Sequence, residues 1–425
     1  MSSSAPISRQ PPAAFNERLL LITLAAVQFT TILDFLIIMP LGPQYARVLG
    51  TTPSQFGVIV SAYAISAGIC GVAAGFLLDR FDRKSALLWL YSGFTVATFI
   101  CAIAPSYPLL AVARAVTGAF GGVAGALILA IIGDVVPDER RGAAMGMVMS
   151  SFSLASIGGV PLGLALAARF SWHAPFFALT GLCAIVLALA ARALPSLRGH
   201  MEHAGDQHPA ARMLSVVTHG GHQLAFLFMA VLTCMGFLIF PYLSNYLVAN
   251  VGLTESQLPL VYLAGGLCTL FSMNWIGRWA DRAGKRRVFI IMALWATIPI
   301  VTLTNLGRVS VVWAIATSTL LMICMSGRMV PAMALMTGSI EPRYRGGFMS
   351  VNSSVQQFSS GLAAYLSGQI MGQSATGEIT RFPLVGLFSV GCALVCIYLS
   401  RFLNSTPRRE PVGGVLAMES EASRL

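Results

Sequence analysis

Two charged decapeptides, GFLLDRFDRK at 75–84 and GRWADRAGKR at 277–286, interrupt a chain that is otherwise strongly apolar. In both, an Asp-Arg pair begins four residues after a glycine, and two basic residues end the segment. The second copy begins 202 positions after the first, which is close to half of the 425 residues. A motif repeated at this distance predicts an internal duplication of the chain.

The composition around these segments is that of a membrane protein. Hydrophobic residues make up 56% of the chain, charged residues 10%, and the mean hydropathy is +0.76, whereas about 25% of the residues in a soluble domain are charged. Since each crossing needs roughly 20 apolar residues, we expect twelve spans. Uninterrupted runs without period-2 alternation favour helices over a barrel. The predicted spans are about 19–43, 55–78, 85–104, 108–134, 143–168, 174–194, 220–248, 257–280, 288–306, 309–337, 348–372 and 384–402.

This division predicts an all-α membrane protein with two six-helix bundles. We expect a disordered N-terminus at 1–18, a first bundle at 19–194, a polar middle loop at 195–218, a second bundle at 219–402 and a tail at 403–425. The distribution of Lys and Arg sets the orientation. With the N-terminus inside, 21 of the 27 basic residues fall on the cytoplasmic side and only four on the other, at Arg47, Arg169, Arg308 and Arg381.

Both termini are therefore predicted to be cytoplasmic. The protein itself is expected in a cell membrane, such as the bacterial inner membrane. The same bias accounts for the net charge of +11 through topology and contact with anionic lipid headgroups, so no nucleic-acid partner is expected.

Other landmarks repeat at nearly the same distance. Pro40 in LIIMPLGPQY corresponds to Pro241 in LIFPYLSNY, and the Arg-Gly pair at 141–142 corresponds to the pair at 345–346. The two halves are therefore parallel repeats. Parallel halves with a site between them near the midplane are typical of one class of secondary transporter.

The decapeptides resemble the signature loop of the major facilitator superfamily, Gly-x-x-x-Asp-Arg-x-Gly-Arg-Arg/Lys, found between helices 2 and 3 and again between helices 8 and 9. The stretch LAVARAVTGAFGG in span 4 is similar to the helix-4 motif of that family, with Arg114 as its arginine. The stretch SIGGVPLGLALAARFSW in span 5 resembles the antiporter motif through Gly159, Pro161 and Gly163. It departs from the drug-exporter form because Val160 separates the Gly-Pro pair, and it is nearer to sugar-efflux-like permeases.

The resemblance implies that the decapeptides form a gate. Asp79 would accept hydrogen bonds at the start of helix 11, and Arg83 would pair with Asp134. The further gate residues carried over are Gly75 and Arg80 in the first copy and Gly277, Asp281, Arg282 and Arg286 in the second. One departure is Asp82, which replaces the usual glycine. If that position requires a positive φ, Asp tolerates it better than most residues do.

The transport chemistry is expected at Asp34, the one carboxylate placed well inside the hydrocarbon by these spans. An apolar environment favours the neutral form of a carboxyl group, and a neighbouring cation favours the ionised form. Arg114 in span 4 lies within one helical turn of the same depth, so we expect it to pair with Asp34 and the two to couple transport to protons. The alternatives are an Asp34 that contacts a cationic substrate, a neutral, hydrogen-bonded Asp34 that packs helices, and an Arg114 that extends to the outer headgroups.

Substrate contacts are expected from polar residues in the second half. Arg328 in span 10 could bind an anionic group or satisfy carbonyls freed by Pro331. Asn352 and Gln356 lie on one polar stripe of span 11. Tyr242 and Asn245 lie near the outer end of span 7.

The sequence contains no phosphate-binding Gly-Lys-Ser/Thr loop, no metal-ligand spacing and no catalytic constellation, so no enzyme activity, metal or cofactor is expected. The sequence predicts a monomeric, proton-coupled antiporter that exports a small drug-like, sugar-like or metabolite substrate, as in multidrug resistance. The alternatives are a proton-linked importer and a sensor with a transporter fold.

Overall fold

The computed structural model describes residues 16–77, 81–195, 216–341 and 344–403, which are mainly helical. Several helices carry proline in their first turn, where a missing N–H costs nothing. The helices of the first half are α1 (Glu17–Ile37), α2 (Gly42–Leu49), α3 (Pro53–Leu77), α4 (Arg83–Ile103), α5 (Tyr107–Val135), α6 (Asp138–Leu154), α7 (Val160–Arg169) and α8 (Ala174–Ala193).

The second half repeats this arrangement and adds a small hairpin. Strands β1 (Gly372–Gln373) and β2 (Ile379–Thr380) pair antiparallel, with Gly372 opposite Thr380. Asn250 holds the hairpin by hydrogen bonds to the backbone C=O and N–H of Ile379. The helices of this half are α9 (Gly220–Phe237), α10 (Leu243–Tyr246), α11 (Leu258–Ala283), α12 (Lys285–Thr304), α13 (Val311–Gly338), α14 (Arg345–Ile370) and α15 (Phe382–Leu399).

Eleven helical segments among the described residues are long and apolar enough to cross a membrane. The expected twelfth is α14, which covers predicted span 11 and has 26 residues. It is not one of the eleven, and the polar stripe that contains Asn352 and Gln356 interrupts its apolar sequence. The chain is therefore an all-α multi-pass membrane protein, as predicted.

Helix α1 ends earlier than span 1 was predicted to end. It stops at Ile37, and a turn leads into α2, whereas the sequence had suggested a span to residue 43. Proline lacks an N–H, and its ring clashes with the carbonyl four residues before it, so Pro40 ends the regular helix. The equivalent Pro241 does the same in the second half, where α9 ends at Phe237 and a 3₁₀ turn covers Phe240–Tyr242.

Predicted span 5 is also interrupted. A π-helical turn at Ala155–Gly159 separates α6 from α7. Only Val160 separates this turn from Pro161. Because Pro161 has no N–H, the carbonyl of Ile157 loses its usual helical donor. The antiporter-like motif thus coincides with a local widening of the helix, a feature that recurs at functional sites.

The two halves share one core at one end of the bundle and have separate cores at the other. We call the end that carries the two decapeptides the decapeptide end, and the other the opposite end. Near the decapeptide end each half has its own hydrophobic cluster. Toward the opposite end a single cluster includes residues of both halves, among them Ile37, Tyr45, Phe56, Tyr242, Tyr246 and Phe382. The described residues therefore close the bundle at the opposite end.

Candidate transport site

The structure brings Asp34 and Arg114 together. Asp34 lies one turn before the end of α1, and Arg114 lies two turns after the start of α5. Arg114 Nη1 donates to Asp34 Oδ2 over 2.5 Å, and neither side chain has any exposed surface. Arg114 does not extend to the headgroups, which excludes that alternative for this structure.

This ion pair is incompletely satisfied by the protein. Asp34 Oδ1 and Arg114 Nε and Nη2 have no hydrogen-bond partner among the described residues. The guanidinium instead lies over the ring of Tyr63 on α3, 4.4 Å from the ring centroid, a stabilising cation–π arrangement. Thr98 and Cys101 on α4 complete the surroundings. Several donor and acceptor positions around the pair are thus free for a further partner.

The antiporter-like motif packs directly against the part of α1 that carries Asp34. A Cβ on Gly159 would lie 2.8 Å from Leu33 Cδ1, and a Cβ on Gly163 would lie 2.5 Å from Ile37 Cδ1. The motif therefore packs against the side chains of Leu33 and Ile37, which would have to shift if either glycine carried a side chain. Pro161 lies in the first turn of α7, between these two contacts.

A row of aromatic rings connects the ion pair to the second half. Tyr63, which lies under Arg114, contacts Phe35 with a centroid distance of 5.2 Å. Phe35 in turn contacts Phe237, the last residue of α9, at 5.9 Å. Phe35 is also the neighbour of Asp34 in the chain, so these ring contacts extend from the ion pair to the junction between the halves.

Arg328 on α13 is buried without a carboxylate partner in the described part of the chain. It is 2% exposed. Nη1 donates to the carbonyl of Leu232 over 2.9 Å, and Nη2 lies 3.2 Å from Met325 Sδ. The carbonyl it reaches belongs to α9 and not to the segment before Pro331, so this contact is not with a carbonyl freed by that proline.

The other predicted substrate residues do not converge on Arg328. The Tyr242 hydroxyl donates to the carbonyl of Ala364 at 2.7 Å and lies 3.4 Å from the carbonyl of Pro53, at the closed opposite end. Asn245 lies there too, against Gly42. Asn352 is buried, and its Oδ1 has no hydrogen-bond partner within the described part of the chain, whereas Gln356 is half-buried. Near them a small cavity between α3, α5 and α14 is lined by Ala67, Gly71, Gly122, Ala126, Ser350, Ser353, Ser354 and Gln357.

In the first decapeptide the structure pairs Arg83 with Asp134, with Nε and Oδ2 3.1 Å apart. Asp82 has φ −56°, so the position occupied by glycine in the family pattern does not require a positive φ here. Its carboxylate accepts from Ser85 N and Ser85 Oγ and caps α4. Gly75 lies in the last turn of α3. Asp79 and Arg80 lie outside the described residues.

The second decapeptide differs. Gly277, Asp281 and Arg282 lie on α11, and the latter two are exposed. Gly284 has φ +92°, so here a glycine is required. Arg286 does not repeat the Arg83–Asp134 pair. Its Nη2 donates over 2.8 Å to the carbonyl of Leu403, which lies four residues after the end of α15.

Among the contacts that were not predicted from the sequence, two involve arginines of ion pairs. One is the position of Tyr63 beneath Arg114. The other is a bidentate ion pair between the halves at the opposite end, in which Arg47 Nε and Nη2 donate to Glu255 over 3.0 and 2.8 Å. Arg47 had been used only as a topology signal. The sequence feature that could have predicted this pair is that Arg47 and Glu255 carry opposite charges in loops of different halves at the opposite end.

Two pseudo-symmetric helical halves, the first of which contains a buried ion pair, are the arrangement expected of a secondary transport protein. The sequence profile of the Major Facilitator Superfamily matches residues 24–233 and again residues 224–420. The chain belongs to this superfamily, whose members are transporters of small molecules and not enzymes.

Relatives and solved structures agree with this assignment. The uncharacterised MFS-type transporter YceJ of Bacillus subtilis is 27% identical, with 91% of this chain and 96% of that protein covered. The inner membrane transport protein YdhP of Escherichia coli (strain K12) is 26% identical, with 85% and 90% covered. In fold, the nucleoside transporter NupG and a D-xylose-proton symporter each match with a TM-score of 0.73. Their identities are 12% and 15%, and the matches cover 91% of this chain and 100% and 98% of theirs.

Proposed function

We propose that the chain is a proton-coupled antiporter that exports a small molecule across a bacterial inner membrane, as a monomer with both termini in the cytoplasm. The observation that carries the proposal is the fully buried Asp34–Arg114 pair, which joins two helices. Charged groups at this depth are costly and are kept where they bind ions or substrates or move protons. The inner-membrane assignment is supported by the relative YdhP, and the orientation by the distribution of Lys and Arg.

The coupling step follows because a proton and the Arg114 guanidinium compete for the Asp34 carboxylate. With Asp34 ionised, the pair holds α1 against α5. Protonation of Asp34 removes the charge attraction and leaves Arg114 in contact with the Tyr63 ring. A conformation in which α1 has moved away from α5 then becomes less unfavourable relative to the present one. A ligand or proton that stabilises one of two states more than the other shifts their populations. A gate at the decapeptide end, where Arg83 and Asp134 pair, would close in one of these states.

The test is proton-driven flux in proteoliposomes. Purified protein is reconstituted with a pH-sensitive dye inside the vesicles, and candidate drugs, sugars and metabolites are added under an imposed pH gradient. We expect the wild-type chain to move protons when its substrate is added. Asp34→Asn should abolish this proton movement while leaving substrate exchange without a gradient measurable, and Glu378→Gln, in the hairpin loop, serves as a control. Gradient-driven flux that survives in Asp34→Asn would contradict the coupling assignment.

Import is the second candidate, because the D-xylose-proton symporter shares the fold. The same vesicles separate the two directions. An exporter accumulates substrate on the side from which protons leave, whereas a symporter accumulates it on the side that protons enter. Substrate binding without any flux would instead favour a sensor.

A further inference from the structure

Each half contains a buried arginine, but only the arginine of the first half is paired with a carboxylate among the described residues. In the first half Arg114 is paired with Asp34. In the second half Arg328 is 2% exposed, and its partners are a carbonyl and a thioether sulfur. Nε of Arg328 has no partner among the described residues. The offset that relates Pro40 to Pro241 places Met235 opposite Asp34 and Ile315 opposite Arg114, so the second half repeats neither member of the pair, and Arg328 is a cation of the second half alone.

An uncompensated buried cation is unfavourable, because desolvation is not repaid by an opposite charge. No acidic side chain reaches the guanidinium in the described part of the chain. The titratable neighbours are the thiols of Cys392 and Cys396, which are neutral hydrogen-bonding groups. An anion would therefore meet a positive charge with nothing negative to compete with it.

Helix α9 packs closely against this charge. A Cβ on Gly236 would lie 3.2 Å from Arg328 Nη2, so the guanidinium lies directly against the backbone of α9 at a residue without a side chain. The next residue, Phe237, contacts Phe35 of the first half, and both rings are half-buried. A short stretch of α9 thus presents a cation-facing glycine and then an aromatic ring at the junction between the halves.

We propose that the transported substrate is an organic anion with a planar aromatic body. Its carboxylate is bound by Arg328, and its ring packs against Phe35 and Phe237. This inference rests on the proposed transport function and names its substrate class. Arg–carboxylate bonds are charge-assisted and often bidentate, and stacked rings favour a planar partner over a puckered ring of similar size.

Binding is tested on the full-length protein in detergent with three matched probes: benzoate, the neutral isostere benzamide and the non-planar cyclohexanecarboxylate. Dissociation constants are measured by calorimetry at constant ionic strength. In the wild-type protein we expect benzoate to bind at least about tenfold more tightly than benzamide, as a charge-assisted hydrogen bond predicts. Benzoate should also bind several-fold more tightly than cyclohexanecarboxylate.

The variants assign each preference to its residue. Arg328→Met should reduce the benzoate-to-benzamide ratio to about one, and Arg328→Lys should retain part of it. Phe237→Leu should remove the preference for the planar ring while keeping the preference for charge. Arg308→Gln, which removes an exposed cation at the opposite end, should change neither ratio.

Equal binding of benzoate and benzamide by the wild-type protein would overturn the proposal even if Arg328→Met does not fold. A folded Arg328→Met variant that still prefers benzoate would also overturn it and would leave the arginine with only its structural bond to Leu232. The transport function fails separately: if benzoate binds with the expected preferences but no substrate-linked proton movement occurs in vesicles, the site stands and the coupling does not.

Discussion

At the residue scale, the Asp34 carboxylate and the Arg114 guanidinium depend on each other because neither reaches solvent. Removing one charge leaves the other buried and unpaired, which costs about 3–5 kcal/mol. We therefore expect Asp34→Asn and Arg114→Gln each to lower the melting temperature of the purified protein clearly. The double variant should recover a large part of this loss, because both charges are gone together.

A double-mutant cycle measures this coupling in thermal unfolding experiments. The matched control is the exposed pair Arg140–Glu17, whose atoms lie 3.0 Å apart and whose removal should cost less than about 1 kcal/mol. Additive effects of the two buried substitutions would mean that the side chains do not interact as the structure has them.

The sequence was informative about these residues to different degrees. Depth within the span and the scarcity of other charges predicted that Asp34 and Arg114 face each other, and the structure brings them together. The cation–π contact with Tyr63 depends on the rotation of α3 about its axis, which hydropathy in a span with little amphipathicity does not define. The capping role of Asp82 was also missed, because the expected glycine geometry came from the family pattern and the actual φ of Asp82 is ordinary.

At the element scale, α3 and α14 come from different halves and pack closely through glycines. A Cβ on Gly361 would lie 2.7 Å from Ile65 Cγ1 and 3.1 Å from the carbonyl of Ser61. Gly68 on α3 faces the backbone of Ser354 and Phe358 in the same way. Small residues at such positions let membrane helices approach closely, and this contact buries part of the polar stripe on α14.

The close contact predicts a large difference between two chemically identical substitutions. Gly361→Ala should push α14 away from α3 and lower both the melting temperature and the transport rate. Gly181→Ala on α8, where an added Cβ meets nothing within 4 Å, should be neutral or stabilising, since alanine is favoured over glycine in a helix by about 1 kcal/mol. Equal effects at the two positions would show that α3 and α14 are not packed as described.

At the scale of the whole molecule, the duplication explains which features could be predicted. Landmarks at a constant offset and the length of each apolar run predicted two parallel six-helix halves, and the family assignment and the fold confirm them. The helix breaks near Pro40 and Pro241 and the π turn in span 5 were not predicted, because an apolar run continues through each of them. The contacts between the halves also escaped prediction, since they depend on how two similar surfaces meet.

One of these contacts tests the alternating-access hypothesis directly. Arg47 and Glu255 belong to different halves and form a bidentate pair at the closed opposite end. Because Arg47 is largely exposed, the pair stabilises the state closed at this end by at most about 1 kcal/mol. Its loss would change the ratio of closed to open molecules roughly fivefold. Glu255→Arg should shift this ratio further toward the state that is open at this end, because it replaces the attraction to Arg47 by repulsion.

The state can be followed by electron paramagnetic resonance between spin labels at Val48 and Leu260, two exposed positions at this end on different halves, with the exposed Cys268 replaced by Ala. We expect Glu255→Arg to raise the fraction of long distances, and Arg47→Glu combined with Glu255→Arg to restore the wild-type distribution. Arg308→Gln changes the net charge at the same end without breaking the pair and should leave the distances unchanged. If the charge swap failed to restore the short distances, the pair would not be what holds this end closed, and the shared apolar core would have to account for closure alone.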